Sequence, residues 1–419
     1  WQGDDITTNP GSNKQAAAEI DRFAPVNSNK GVKDCWADHY AIIKAANFII
    51  LNASKTPTDE TSMKQAIGQA KFWRAYAYFT LVRIFGDIPL TLDNENDDFT
   101  MTPSPVEKVY EQIVADLTSE ECESLPESYK DAPAFMNGVN VYVTKAALQS
   151  TRAAVYMAMA GWPLEKGASY YAKAAEEAKK VIEGAQNGTY DIRMDDNYYD
   201  VYAMSNNYNK ETILGINYSP NVDWVQDSQL TSCNQFESIG GWGDAWGEIR
   251  FWKRFPEGPR KDAIYDPQIL KPNKDGKGYE LHDWYEKSGE DWVFPECHPM
   301  FSVFSVNWDP ASKANIDAPY DYTLPASQNM CNGHRHRLIR YAEVKLWYAE
   351  AAARAGEADL TLARQCLKDV RKRGMVGDTY GNKKKTYADD GSWKVINGVD
   401  IDQMNASQLA EAAFEEHGW

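Results

Sequence analysis

Cysteine is scarce in this chain and never closely paired: Cys35, Cys122, Cys233, Cys297, Cys331 and Cys366 are scattered over 419 residues without a C-x-x-C. That spacing gives neither a zinc ribbon nor a disulfide framework. Positive charge is also in short supply, with 44 Lys and Arg against 61 Asp and Glu and a formal charge of -17. Such a balance repels phosphate backbones and anionic lipid, which argues against nucleic acid as a partner. No apolar run reaches the roughly 18 to 20 residues that span a bilayer. The nearest, AAVYMAMAGW at 153–162, is interrupted by Gly161 and followed by Pro163. There is no G-x-S-x-G, H-E-x-x-H or P-loop to anchor an enzymatic mechanism.

Helical periodicity is plentiful by contrast. In FWRAYAYFTLVRIFGDIPL (72–90), Phe72, Tyr76 and Phe79 fall at helical steps with Ala75, Val82 and Phe85 beside them. Trp73, Ala77, Leu81 and Ile84 form a second apolar face, leaving a narrow strip with Arg74 and Arg83 for water. The pattern predicts a helix over about 61–85 packed on two sides, ended by Gly86 in a left-handed conformation and by Pro89. A helix over 34–54 precedes it and makes a hairpin with it. Ser104, Pro105 and Glu107 read as cap, first helical position and capping-box partner of a helix over 104–120. Two more follow at 143–161 and near 168–185. The same architecture returns over 337–374, where Ala349, Gly356 and the amphipathic set Leu362, Cys366, Leu367 and Val370 resemble a tetratricopeptide hairpin.

Residues 1–33 are polar and turn-rich and read as a surface segment. Residues 191–335 differ again: 7 of the 14 Trp lie there, among Pro, Gly, Asn and Asp. Residues 211–219 read as a strand and 240–262 mostly as loop. Tryptophans spaced by glycine and charge do not make one helical stripe, so they form a second small core or present rings at the surface. The expected organisation is one mainly α domain over 1–419, with a helical-hairpin scaffold at 34–190 and 336–419 and a loop-rich, Trp-rich insertion at 191–335.

Two metal patterns are weak. CNGHRH and ECHP bring Cys331, His334, His336, Cys297 and His298 into two short loops without a closed ligand set. DNENDD (93–98) alternates acids like a calcium loop, but Asp98 and Ser104 stand where Gly and Glu are required. No metal and no cofactor is expected.

The stretch around residues 74–90 resembles the signature helix and turn of the SusD/RagB family, through Arg74, Ala75, Tyr76, Tyr78, Leu81, Val82, Arg83, Phe85, Gly86, Asp87, Pro89 and Leu90. A second family segment is matched by Arg340, Tyr341, Ala342, Glu343, Leu346, Tyr348, Ala349, Glu350, Ala351 and Gly356, then Val370 to Arg373. Weaker matches in the third, fourth and fifth helices keep family order. The resemblance implies a tetratricopeptide-like scaffold in which these signature residues are structural, carrying a loop-rich binding surface. It implies a non-enzymatic receptor on the extracellular face of the outer membrane, delivering oligosaccharide or polysaccharide to a TonB-dependent, SusC-like transporter. A lipid anchor is inferred for sequence ahead of Trp1, because the family's lipid-bearing cysteine is absent here. A peptide receptor of the RagB type is the alternative, and a helical glycoside hydrolase using two carboxylates stands behind it.

Glycan capture calls for flat apolar faces with polar groups at their edges. Trp242, Trp246 and Trp252 with Asp244 and Arg250 have that composition, as do Trp224 and Trp308 among Asn, Asp and Gln. These seven are the expected ligand-binding residues.

Overall fold

In the computed structural model the described residues are 3–9, 11–93, 101–128, 142–218, 228–265, 268–273, 275, 279–304, 307–309, 314–316, 333–379 and 385–419. The fold is mainly helical with short strands. The chain opens with α1 (Gln15–Asp21), α2 (Lys30–Asn52) and α3 (Glu60–Phe85). It continues through α4 (Val106–Leu117), α5 (Glu120–Glu123), α6 (Lys145–Ala160) and α7 (Ala168–Gln186). Short helices α8 (Tyr198–Tyr202), α9 (Leu230–Asn234), α10 (Ile249–Arg254) and α11 (Pro259–Ile264) belong to the middle region. The chain returns to long helices in α12 (Tyr341–Ala355), α13 (Thr361–Met375) and α14 (Ala406–Gly418).

The long helices pack as hairpins: α2 with α3, α6 with α7, and α12 with both α13 and α14. Packing of α12 against α7 joins the two halves of the scaffold, so residues separated by the whole insertion share one core. Helix α3 lies between α2 and α4, which is why Phe72, Ala75, Tyr78, Phe79, Leu81 and Val82 are all buried. Asp59 starts it by accepting from the Ser62 amide at 2.9 Å, and Gly86 ends it with φ 72. A side chain at Gly68 would meet the Glu121 carbonyl oxygen at 2.3 Å, so the close approach of α3 to α5 requires glycine.

Two details depart from the sequence expectation. Arg74 is buried instead of facing water, and Ile84 is exposed instead of packed. The guanidinium reaches Asp116 on α4 through Nε at 2.8 Å and Nη2 at 2.6 Å, and Asn47 on α2 through Nη1 at 2.8 Å. Ser104 is not the cap of α4; it bridges to Ile88 by backbone hydrogen bonds, and the Asp87 carboxylate accepts from the Val106 amide at 2.9 Å. The turn after α3 thereby caps the next helix, with Tyr40 holding the same turn by donating to the Pro89 carbonyl at 2.8 Å.

Residues 336–340 are not helical. The strand His336–Arg340 pairs antiparallel with Thr212–Ile216 and only then does α12 begin, with Glu343 closing back on the Arg340 amide. Tyr341 and Glu350 are buried on α12, where Glu350 meets Arg354 at 2.7 Å and burial holds its carboxyl above the usual range. Tyr76 packs against Phe72 and Trp73 on α3.

The middle region builds two small cores of its own. Residues 249–254 and 259–264, expected as loop, are short helices; the first supplies Phe251 to one of these cores, Phe255 follows it directly, and Ile264 of the second packs against the same core. The opening segment docks here too, because Ile6–Thr7 pairs with Trp246–Gly247.

Candidate functional site

Of the expected ligand-binding residues, Trp246 and Trp252 belong to the small cores of the middle region, and the described ones do different work. Trp246 is buried among Phe236, Ile239, Trp284 and Phe294, with its ring stacked on His298 at 5.0 Å and 28°. That placement gives it no free face. Asp244 is tied to the opening segment, its carboxylate in an ion pair with Lys14 and its carbonyl accepting from the Thr8 hydroxyl at 2.6 Å. Trp252 is half-buried between the two cores, with the Trp284 ring edge-on at 5.2 Å and Lys261 Nζ 4.4 Å over its face. Trp242 is half-buried and Arg250 is exposed. Trp224 and the side chain of Trp308 lie outside the described residues.

Sequence reasoning passed over two exposed rings beside this cluster. Tyr285 is 46% exposed and contacts Trp284 at 5.2 Å and Trp252 at 6.2 Å. Trp292 is 43% exposed on a tight hairpin in which Lys287 pairs with it and Ser288 with Asp291. Gly289 sits at the turn with φ 70, which a two-residue hairpin favours. The signal was present as two aromatics flanking Ser288-Gly289-Glu290, a hairpin code inside a stretch otherwise read as irregular. Around these rings stand Glu286, which contacts His282 at 3.1 Å, and Lys287, with Nζ 4.6 Å over Trp292. Trp252 and Tyr285 are in contact and Trp292 stands on the hairpin that follows Tyr285, and these three rings with the charged groups among them are called the aromatic ledge.

In the two cysteine and histidine loops, His334 and His298 have other partners. His334 is fully buried and donates through Nε2 to the Tyr202 carbonyl at 2.9 Å, whereas His298 lies on Trp246. Burial, then the neighbouring Arg337, pushes His334 down to about 3, so the ring is neutral. Cys331 and most of the acidic run at 93–98 lie outside the described residues. Among the described residues no group of three or more His, Cys, Asp or Glu is arranged to hold a metal ion, and no helix is long and apolar enough to cross a membrane.

Comparison with known proteins bears on both parts of the chain. Residues 5–157 match a SusD-like family described as "starch-binding associating with outer membrane", and residues 313–419 match the SusD family. SusD-like protein P2 of Formosa agariphila is 30% identical over 346 residues, covering 80% of this chain. The chain spans 61% of the length of that relative and 55% of a SusD-like protein of Bacteroides ovatus. A SusD superfamily structure from Parabacteroides distasonis superposes with a TM-score of 0.71 at 21% identity, covering 99% of this chain and 77% of that one. Surface glycan-binding protein A from Bacteroides uniformis gives 0.67 at 20%, covering 100% and 79%. Family matches in both the first and the last part of the chain, together with the relative that is 30% identical, establish that this chain belongs to the SusD/RagB family.

Proposed function

We propose that the protein is a surface receptor that captures an oligosaccharide on its loop-rich half, at the outer face of the outer membrane. It passes the sugar to a TonB-dependent, SusC-like transporter without cleaving it. The observation that carries this reading is the aromatic ledge. Tyr285 and Trp292 are 46% and 43% exposed, in a region where Trp246 and Trp284 are buried in the core. Sugar rings present flat C–H faces that stack on such rings, and charged or amide groups at the edge take up the hydroxyls. Arg250 and Glu286 are suited to that second task, with Trp242 and Trp252 extending the surface. Trp224 and Trp308 belong to the same proposal. The family description and the fold of the glycan-binding neighbour from Bacteroides uniformis support a glycan ahead of a peptide.

The test is tryptophan fluorescence of the purified protein titrated with plant, host and microbial polysaccharides and with mixed peptides, alongside an assay for released reducing sugar. Saturation by a glycan without sugar release supports the receptor. Sugar release replaces it with a hydrolase, and a response to peptides alone moves the protein to peptide capture. Co-purification with a tagged outer-membrane transporter expressed in the same cell tests the delivery step.

A further inference from the structure

Between the middle region and the scaffold, a cavity of about 250 Å³ is lined by Tyr198, Tyr202 and Arg260 from the first and by Arg337, Arg340, Arg373 and Glu416 from the second. Its rim includes the partly exposed Glu343, His417 and Trp419, so it opens to solvent there. In a chain with a formal charge of -17, this concentration of guanidinium is against the general trend.

The pairing inside it is incomplete. Two buried carboxylates are each shared by two arginines: Glu211 by Arg340 at 3.3 Å and by Arg373, and Glu416 by Arg260 at 2.7 Å and by Arg371 at 2.8 Å. Burial alone would raise the Glu211 carboxyl, but Arg373 and Arg340 hold it below the usual range, so it is ionised and its charge is spent on them. Glu343 adds one more acid and is in contact with His417 at 3.0 Å. Among the described residues Arg337 has no carboxylate partner; Nη1 donates to the Arg335 carbonyl at 3.0 Å and the guanidinium lies 4.8 Å over the Tyr202 ring. Its Nε and Nη2 are buried without a hydrogen-bond partner. Arg260 and Arg373, 3% and 8% exposed, each also leave Nε buried without a hydrogen-bond partner. Among the described residues the cavity is lined by four arginines, Arg260, Arg337, Arg340 and Arg373, and by the carboxylates of Glu343 and Glu416, with Glu211 and Asp195 close to Arg373, and three of these arginines keep unused donors. A buried guanidinium without an anion is costly, and planar forks facing a cavity match the two oxygens of a carboxylate.

We propose that this cavity is a receptor for one carboxylate group, carried by a small organic acid or by an acidic sugar such as a uronate, with Arg337 as its principal contact. It does not rest on the aromatic ledge: a neutral glycan binds there or fails to bind there whatever this cavity holds. Arg340, Glu343 and Arg373 were visible in the sequence as members of the second family segment, but nothing in composition pointed to a cavity between them and the middle region.

The experiment is isothermal titration calorimetry of the purified protein with glucuronate, acetate, glucose and sulfate at constant ionic strength set with chloride. Glucuronate is expected to saturate one site and glucose to give no signal there. Acetate binding as tightly as glucuronate supports carboxylate recognition with a free organic acid as the source, and tighter glucuronate binding supports the sugar. Arg337→Leu is expected to weaken binding by about tenfold or more while lowering the unfolding midpoint of the unliganded protein only slightly, because it gives up one hydrogen bond and one ring contact but no described ion pair. Arg337→Lys retains part of the affinity. No saturable response to either carboxylate, a response to sulfate alone, or unchanged binding in Arg337→Leu overturns the proposal.

Discussion

Arg74 and Asp116 form a two-pronged ion pair, at 2.8 and 2.6 Å, inside the contact between α3 and α4. Both side chains are almost wholly buried, and Asn47 on α2 closes the remaining side of the guanidinium. One charged residue of the signature helix thus fixes the relation of three helices.

Removing one partner leaves a buried charge alone. Arg74→Met is expected to cost about 3 to 5 kcal/mol in urea unfolding, whereas Arg74→Met with Asp116→Leu recovers most of that loss, since an apolar pair of similar volume can replace a buried ion pair. A double variant as unstable as the single one would show that the charges themselves are required.

Asp87 makes a smaller and separable contribution. Its carboxylate accepts from the first amide of α4, a donor with no partner inside the helix. Asp87→Ala is expected to cost about 1 kcal/mol, and Asp87→Asn a fraction of that. Ser104→Ala, at the position sequence favoured as cap, should change stability far less, because Ser104 bonds through its backbone.

His334 gives the fold a pH dependence. Its folded value of about 3 lies below the ordinary 6.5, so the unfolded chain takes up a proton that the native ring refuses. Stability from this residue is complete above pH 6.5 and is lost as the pH falls towards 3. Between pH 6.5 and 5 the loss from His334 is about 2 kcal/mol. Urea unfolding at the two pH values should show it, and His334→Gln should flatten the difference by about that amount.

The aromatic rings of the middle region divide into those that hold it together and those that face water. Trp246→Ala is expected to destabilise by about 3 to 5 kcal/mol through the cavity it leaves. Trp292→Ala and Tyr285→Ala should leave thermal unfolding nearly unchanged. In the fluorescence titration each should weaken the responsive glycan by about tenfold or more, as loss of an aromatic anchor does. Equal stability losses in all three would assign the exposed rings to the core as well.

The long helices were legible because their signal is local and repeated. Phe72, Ala75, Phe79 and Val82 follow one another at steps of three or four residues, and any partner surface that buries one buries the rest. Gly86 and Pro89 end that helix by backbone geometry alone. The same reading misplaced Arg74 and Ile84, because periodicity ranks faces by average polarity and cannot see Asp116 arriving from α4. It ran a helix through residues 337–340, where pairing with Thr212–Ile216 across the insertion outweighs local preference.

In the middle region the sequence could name residue types but not their exposure. Trp246 and Trp292 are chemically identical, and what separates them is that the opening segment and His298 cover one while a hairpin holds the other out in water. By itself the sequence determined the family, the helical scaffold and the acidic character of the whole. Tertiary structure alone decided which rings are free, and it alone joined Glu211 to Arg373, 162 residues apart. Helix formation depends on neighbours a few residues away, whereas burial and charge pairing depend on whichever surfaces the finished fold brings together.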